Sequence, residues 1–170
     1  GHIGVLIGSA SGQTKHKQKN HKCFFHLFTP FHHSVSLFFV LLWRISDVIF
    51  PDGLEIIGNN SFNGSAITEV SIPESVVTIG KAVFQCCTAL KNVIFDGECK
   101  IEVISGEAFA NCFMLENITI PKSVRNLDIS CFYNSGLKNI SFADNNNVSE
   151  IGNYAFAYTP LSSIDIPKSV

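Results

Sequence analysis

The stretch Leu115-Glu116-Asn117-Ile118-Thr119-Ile120-Pro121-Lys122-Ser123-Val124 decides the fold. Ile118-Thr119-Ile120 alternates with the two-residue period of a strand that buries one face. Pro121 ends that strand, because it has no N–H to give a ladder. The same order of apolar-x-x-apolar-x-apolar recurs on both sides, as Ile45–Phe50, Ile67–Ile72, Leu90–Phe95, Leu137–Phe142 and Leu161–Ile166. Pro51, Pro73 and Pro167 follow three of these blocks, whereas Asp96 and Ala143 stand in the proline position of the other two. Six copies of one pattern exceed chance, and a repeat decides architecture before any local reading does.

Between the blocks runs a second periodic signal. Phe62, Phe84, Phe109, Phe132 and Phe156 follow one another at spacings of 22, 25, 23 and 24 residues. A mostly small residue precedes each, and Ile57, Ile79, Ile104, Leu127 or Ile151 stands five positions upstream. In this pattern the rings form one interior column, and the upstream aliphatic brings a second apolar group inward where the chain turns. Gly80, at that turn, is expected to supply a backbone conformation closed to other residues. No single unit buries its apolar residues alone; stacked coils about 4.8 Å apart bury them against one another. Burial of roughly six side chains per coil at about 1.5–3 kcal/mol each offsets chain ordering only with neighbours present.

These phrases, above all Ile72-Pro73-Glu74-Ser75-Val76-Val77-Thr78-Ile79-Gly80, Ile120-Pro121-Lys122-Ser123-Val124 and Ile151-Gly152-Asn153-Tyr154-Ala155-Phe156, resemble the BspA-like (treponemal-type) leucine-rich repeats. The resemblance covers about residues 45–170. It is broken at Asp96 and Ala143, at Leu127-Asp128 in place of Ile-Gly, and at the longer unit around Gly97–Ile101. It implies an α/β-type, predominantly β leucine-rich-repeat solenoid, with one parallel strand per unit of about 23 residues and short turns or helical segments opposite. It also implies adhesion or host interaction at a cell surface or after secretion. About five repeats fit residues 45–170, and the stop at Ile166-Pro167-Lys168-Ser169-Val170, within a unit, is expected of a fragment. An open strand edge at Ile164–Ile166 would favour self-association.

Composition agrees with a packed core. Apolar residues make up 46% and charged residues 15% of 170, which excludes a disordered polyelectrolyte. A net charge of −2 gives no pull toward nucleic acid, although the five bases of residues 1–44 face no acid there. Residues 1–44 also hold all six histidines, a Lys-rich tract (Lys15, Lys17, Lys19, Lys22) and an apolar run from Val35 to Trp43. A basic tract before an apolar run reads as a signal peptide. Against that, no small-x-small cleavage site follows Trp43, and His26, Pro30, His32 and His33 interrupt a membrane-length Phe24–Trp43. The preferred reading is an atypical cap or a segment foreign to the domain; a signal or anchor role, and with it membrane association, is the alternative.

Catalytic constellations lack parts. The repeats contain no histidine, so no Ser-His or Cys-His pair arises within them. Gly4, Gly8 and Gly12 lack the lysine of a phosphate loop. His16, His21 and His26, five apart, do not share a helical face, and no C-x-x-C occurs, so no metal or other cofactor is expected. Glu98 with Glu102 reads as solvated surface. Cys87 and Cys112 each fall three residues after their phenylalanine, which allows a disulfide but favours a ladder of small buried thiols.

What remains is the outward row of the strands: Asp47 and Ile49, Glu69 and Ser71, Asn92 and Ile94, Asn117 and Thr119, Asn139 and Ser141, Ser163 and Asp165. From Glu69 to Asp165 this row is the predicted surface for a protein or glycan ligand, in a non-enzymatic binding module at the cell surface. An intracellular interaction scaffold is the alternative, and Asn92, Asn117 and Asn139 serving only as a register-keeping ladder is the blander use of the row. Asn-x-Ser/Thr sequons at Asn59, Asn63 and Asn147 are candidate glycosylation sites; those at Asn117 and Asn139 would place glycans on the binding row itself.

Overall fold

A computed structural model describes the backbone of residues 34–35 and all of residues 45–170. Their strands are β1 (Ser34–Val35), β2 (Ile56–Ile57), β3 (Glu69–Ile72), β4 (Thr78–Ile79), β5 (Asn92–Phe95), β6 (Val103–Ile104), β7 (Asn117–Ile120), β8 (Asn126–Leu127), β9 (Asn139–Phe142) and β10 (Glu150–Ile151). Every pairing is parallel and joins one coil to the next. Each complete coil has three walls: a four-residue strand, a two-residue strand, and a run of turns. No helix occurs among the described residues, so the wall opposite the strands is made of turns alone.

The predicted interior column is present. Phe62, Phe84, Phe109, Phe132 and Phe156 stack with centroids 5.5–5.7 Å apart and ring planes within 15°. Phe50 meets Phe62 edge-on at 5.7 Å. The aliphatics five residues upstream do more than turn inward: they build the second, short-strand wall, where Ile57 pairs with Ile79 and Leu127 with Ile104 and Ile151. This ladder starts before residue 45, since Val35 pairs with Ile57. The remaining expectations for residues 1–44 (cap, signal or anchor, histidine cluster, glycine loop) lie outside the described residues.

The turn wall follows from a feature that the sequence hides. Residues two before and two after each ring adopt the left-handed region: Ala82, Cys86, Glu107, Asn111, Ser130, Asn134, Tyr154 and Tyr158 all have φ between 52° and 61°, matching Asn60 at 57° and Gly64 at 71°. Alternate N–H groups then point along the stacking axis into the next coil. Asn60, Phe62 and Gly64 donate to Lys81, Val83 and Gln85 at 2.9, 2.9 and 2.7 Å. Ala82, Phe84 and Cys86 donate to Gly106, Ala108 and Ala110 at 3.0, 2.9 and 2.8 Å, and the series runs on to Asn153, Ala155 and Ala157. Asn and Gly accept this conformation readily; Ala82, Cys86, Glu107 and the tyrosines hold it at a cost of about 1–2 kcal/mol each.

Gly80 corrects an expectation. It lies outside the left-handed region, and its lack of a side chain serves close approach instead: a Cβ there would sit 2.4 Å from the Asn59 nitrogen. Gly136 is tighter still, with the Phe113 carbonyl oxygen 2.1 Å from where a Cβ would stand.

The strand walls, unlike the turn wall, are interrupted. β3 pairs with β5 and β7 with β9, but β5 and β7 are not joined, nor are β4 and β6. Ile45–Phe50 and Leu161–Ile166 occupy the strand positions of the outer coils without forming a ladder, so the strand edge expected at Ile164–Ile166 is not there. The prolines explain the pairing. Asp96 and Ala143, where proline is missing, donate their N–H to Ile72 and Ile120 of the preceding coil at 2.9 Å each. Pro73, Pro121 and Pro167 follow the blocks that stay unpaired with the coil before them and cannot make that bond. In the short-strand wall the Ser105 hydroxyl bridges the gap instead, donating to the Ile79 carbonyl at 2.6 Å.

Candidate functional site

The interruption between β5 and β7 opens a groove of about 580 Å³ on the long-strand wall. Its cause is local. The unit between Leu90 and Leu115 carries extra residues around Gly97–Ile101, and Pro121 supplies no bond back to β5. Inward residues of β5 that would otherwise be sealed by a neighbour, Val93 and Phe95, are left half-buried, whereas Ile118 and Ile120 of β7 are buried. The groove therefore has an apolar floor and a polar rim of Asn117, Thr119, Asn139 and Ser141, with the exposed Ile94 on the opposite lip. At its end the Lys122 ammonium meets Glu98 Oε2 at 2.5 Å, a pair exposed enough to add little stability.

All ten predicted ligand-binding residues are exposed, as alternation requires. Five of them (Ile94, Asn117, Thr119, Asn139, Ser141) line the groove; Glu69, Ser71 and Asn92 lie beyond its β5 side, and Ser163 and Asp165 on the unladdered last coil. The asparagines form a partial ladder. Asn139 Nδ2 donates to Asn117 Oδ1 at 2.8 Å and Asn92 Nδ2 to Glu69 Oε2 at 2.9 Å, so the series stops on each side of the groove. Thr119 and Ser141 hydroxyls share a bond at 2.8 Å, and the Ser71 hydroxyl donates to the Asp96 carboxylate at 2.7 Å. Asp47, at the head of the row, is half-buried. Sequence reasoning found the row but not the groove; the signal was the longer unit combined with the alternation of proline and non-proline.

The sequons divide by what their amide nitrogens do. Asn63 Nδ2 donates to Gln85 Oε1 and Asn147 Nδ2 to the Lys122 carbonyl, both at 2.8 Å, so a glycan there would displace an inter-coil bond. Asn59 is exposed, and its Oδ1 accepts the Lys81 N–H at 2.8 Å.

The described cysteines are all unpaired. Cys87 and Cys112 donate to the carbonyls of Phe62 and Phe84 at 3.0 and 3.1 Å, one coil back in each case, which is the buried thiol ladder rather than a disulfide. Burial pushes the Cys87 thiol up to about 11, raises Cys112 well above its ordinary value, and takes Cys131 to about 12. Thiols held protonated in this way are poor nucleophiles at neutral pH. Among the described residues there is no cluster of three metal-ligating side chains, and no helix is long and apolar enough to cross a membrane.

Parallel coils, an interior phenylalanine column and a regular outward row define a leucine-rich-repeat solenoid. More narrowly, the chain belongs to the BspA type leucine rich repeat family, six copies of whose repeat region match residues 55–170. Among solved structures it is similar to a leucine-rich repeat protein from Bacteroides ovatus, with 27% identity and a TM-score of 0.68 over 75% of this chain and 32% of that one. The pneumococcal vaccine antigen PcpA is similar at 25% identity and a TM-score of 0.59, over 75% of this chain and 46% of that one. A leucine-rich repeat protein from Eubacterium ventriosum shares the fold at 21% identity and a TM-score of 0.55, over 74% of this chain and 39% of that one. The chain thus spans a third to a half of the length of these structures. No curated protein sequence matches it.

Proposed function

We propose that the chain is a non-enzymatic binding module that takes a partner into the groove between β5 and β7, at a cell surface or after secretion. The carrying observation is the groove itself: an apolar floor of Val93, Phe95 and Ile118 under a neutral hydrogen-bonding rim. Such a surface suits a protein segment better than a glycan, because half-buried aliphatic and aromatic groups gain most from apolar side chains. The likeness to a pneumococcal vaccine antigen supports an exposed location. Histidine-free repeats and protonated, buried thiols support a role without catalysis.

The test is capture of purified extracellular-matrix proteins by the immobilised chain. Capture that Ile94→Arg reduces about tenfold, the loss of one well-placed apolar contact and the gain of a misplaced charge, supports the groove. Glu69→Lys and Asp165→Lys, outside it, should change capture less. Capture indifferent to Ile94→Arg, or absent for the whole panel, sinks the reading. One observation favours the second reading, an intracellular scaffold: the unpaired Cys87 and Cys112 suit a reducing compartment. Thiol titration and a glycan map of native material separate the two.

A further inference from the structure

The turn wall, away from the groove, carries a second concavity, of about 230 Å³, lined by Gln85, Glu107, Ala110, Asn111, Ser130 and Tyr133. Its origin lies in the row one residue past each ring, which reads Asn63, Gln85, Ala110, Tyr133 and Ala157. Ala110 is the small member between two long ones, so a dent forms between the Gln85 amide and the Tyr133 ring. Glu107 and Ser130 rise on one rim and Asn111 on the other, each presented by the left-handed backbone of the wall. Tyr133 is held in place: Tyr158 of the next coil, beside the second alanine of the row, meets it edge-on at 5.2 Å. The polar groups are fixed as well. Gln85 receives the Asn63 amide and donates to Glu107 Oε2, and Asn111 Oδ1 accepts from Asn134 at 2.8 Å.

We infer that this dent is a subsite for one neutral sugar ring. An aromatic face offers an apolar surface to the C–H side of a pyranose, and the tyrosine tolerates a wet edge. Amides and a carboxylate fixed around it are the acceptors and donors that hydroxyls need, and a carboxylate acceptor gives the stronger bond. Glu107 at the rim also selects against acidic sugars by charge repulsion. The lining is too polar to reward an apolar anchor side chain, which separates this site from the groove on the strand wall. The subsite stands independently of the proposed function.

Saturation-transfer NMR on the full chain, with lactose, N-acetylglucosamine and glucuronate as probes, tests it. Transfer from tyrosine protons to lactose or N-acetylglucosamine is expected, with glucuronate weaker. Tyr133→Leu should abolish the transfer, and Glu107→Gln should weaken binding about tenfold, the loss typical of one hydrogen bond to a charged group. Circular-dichroism melts of both variants, and an undiminished signal in Ile94→Arg, exclude unfolding and the groove as causes. No transfer from either neutral sugar, transfer that survives Tyr133→Leu in a folded protein, or preference for glucuronate would overturn the assignment.

Discussion

The turn wall and the long-strand wall belong to the same coils, yet one is stitched without interruption and the other is broken into pairs. Three inter-coil N–H bonds per turn run unbroken from Asn60 to Ala157, while the strand ladder exists only for β3–β5 and β7–β9. The continuous wall is the one whose local conformation is the more costly, with non-glycine residues at every left-handed position but Gly64. The interrupted wall uses ordinary extended backbone. Propensity thus does not decide which wall holds together. What decides is whether every coil has a donor where the next carbonyl waits, and a proline in the strand series removes it.

The largest test of this contrast lies in the core behind each wall. Phe109→Ala, with stacked rings on both sides at 5.5 and 5.6 Å, should cost about 4 kcal/mol in urea unfolding. Phe95→Ala, at the half-buried floor of the groove, should cost about half of that. Equal costs would mean that the two walls are equally closed.

Next comes pH. Burial holds the Cys87 and Cys131 thiols above the ordinary value of 9.0, at about 11 and about 12. Raised values of this kind mean that the stabilisation is whole below pH 9 and is lost as pH climbs through the folded values. Each thiol contributes a fall of about 1.4 kcal/mol per pH unit in that window. Chemical denaturation between pH 8 and pH 11 should show the fall, and Cys87→Ala with Cys131→Ala should make it shallower, with buried Cys112 supplying the remainder; an unchanged slope counts against buried thiols in the turn wall.

A smaller effect concerns backbone strain in the same wall. Cys86 is exposed with φ at 59°, so Cys86→Gly should raise stability by up to about 1 kcal/mol by relieving the left-handed penalty. A loss would show that the conformation costs nothing there. Smallest in stability, but most direct in meaning, is Pro121→Ala. By the register that Asp96 and Ala143 follow, the new N–H would face the Phe95 carbonyl across the groove, and the lost proline stiffness would cancel most of any gain from a bond there. Hydrogen exchange should find the amide of residue 121 protected like that of Ala143. Fast exchange at 121 would assign the groove to the longer unit alone.

Much of this could be read in advance, because the phenylalanine spacing and the strand blocks repeat in phase, and burial enforces that phase at every coil. The outward row was equally legible, since alternation leaves no choice of face. The groove was not. The same prolines that mark strand ends also decide which strands pair, and that second role emerges only when Asp96 and Ala143 are set against the neighbouring coil. The left-handed positions stayed hidden for another reason. Asn60, Gly64, Asn111 and Asn134 are the expected residue types, but Ala82, Glu107, Tyr154 and Tyr158 carry no such mark. Gly80 was recognised as special but for the wrong cause, conformation instead of clearance.

The missing β5–β7 pairing has a mechanical meaning. A rod with an unbroken spine on one side and a gap on the other is compliant in a single direction: load along its axis opens the strand side while the phenylalanine spine keeps the coils in order. A partner lodged in that gap would act as a wedge, so occupancy and curvature rise and fall together, and small-angle scattering with and without bound partner would register the bend.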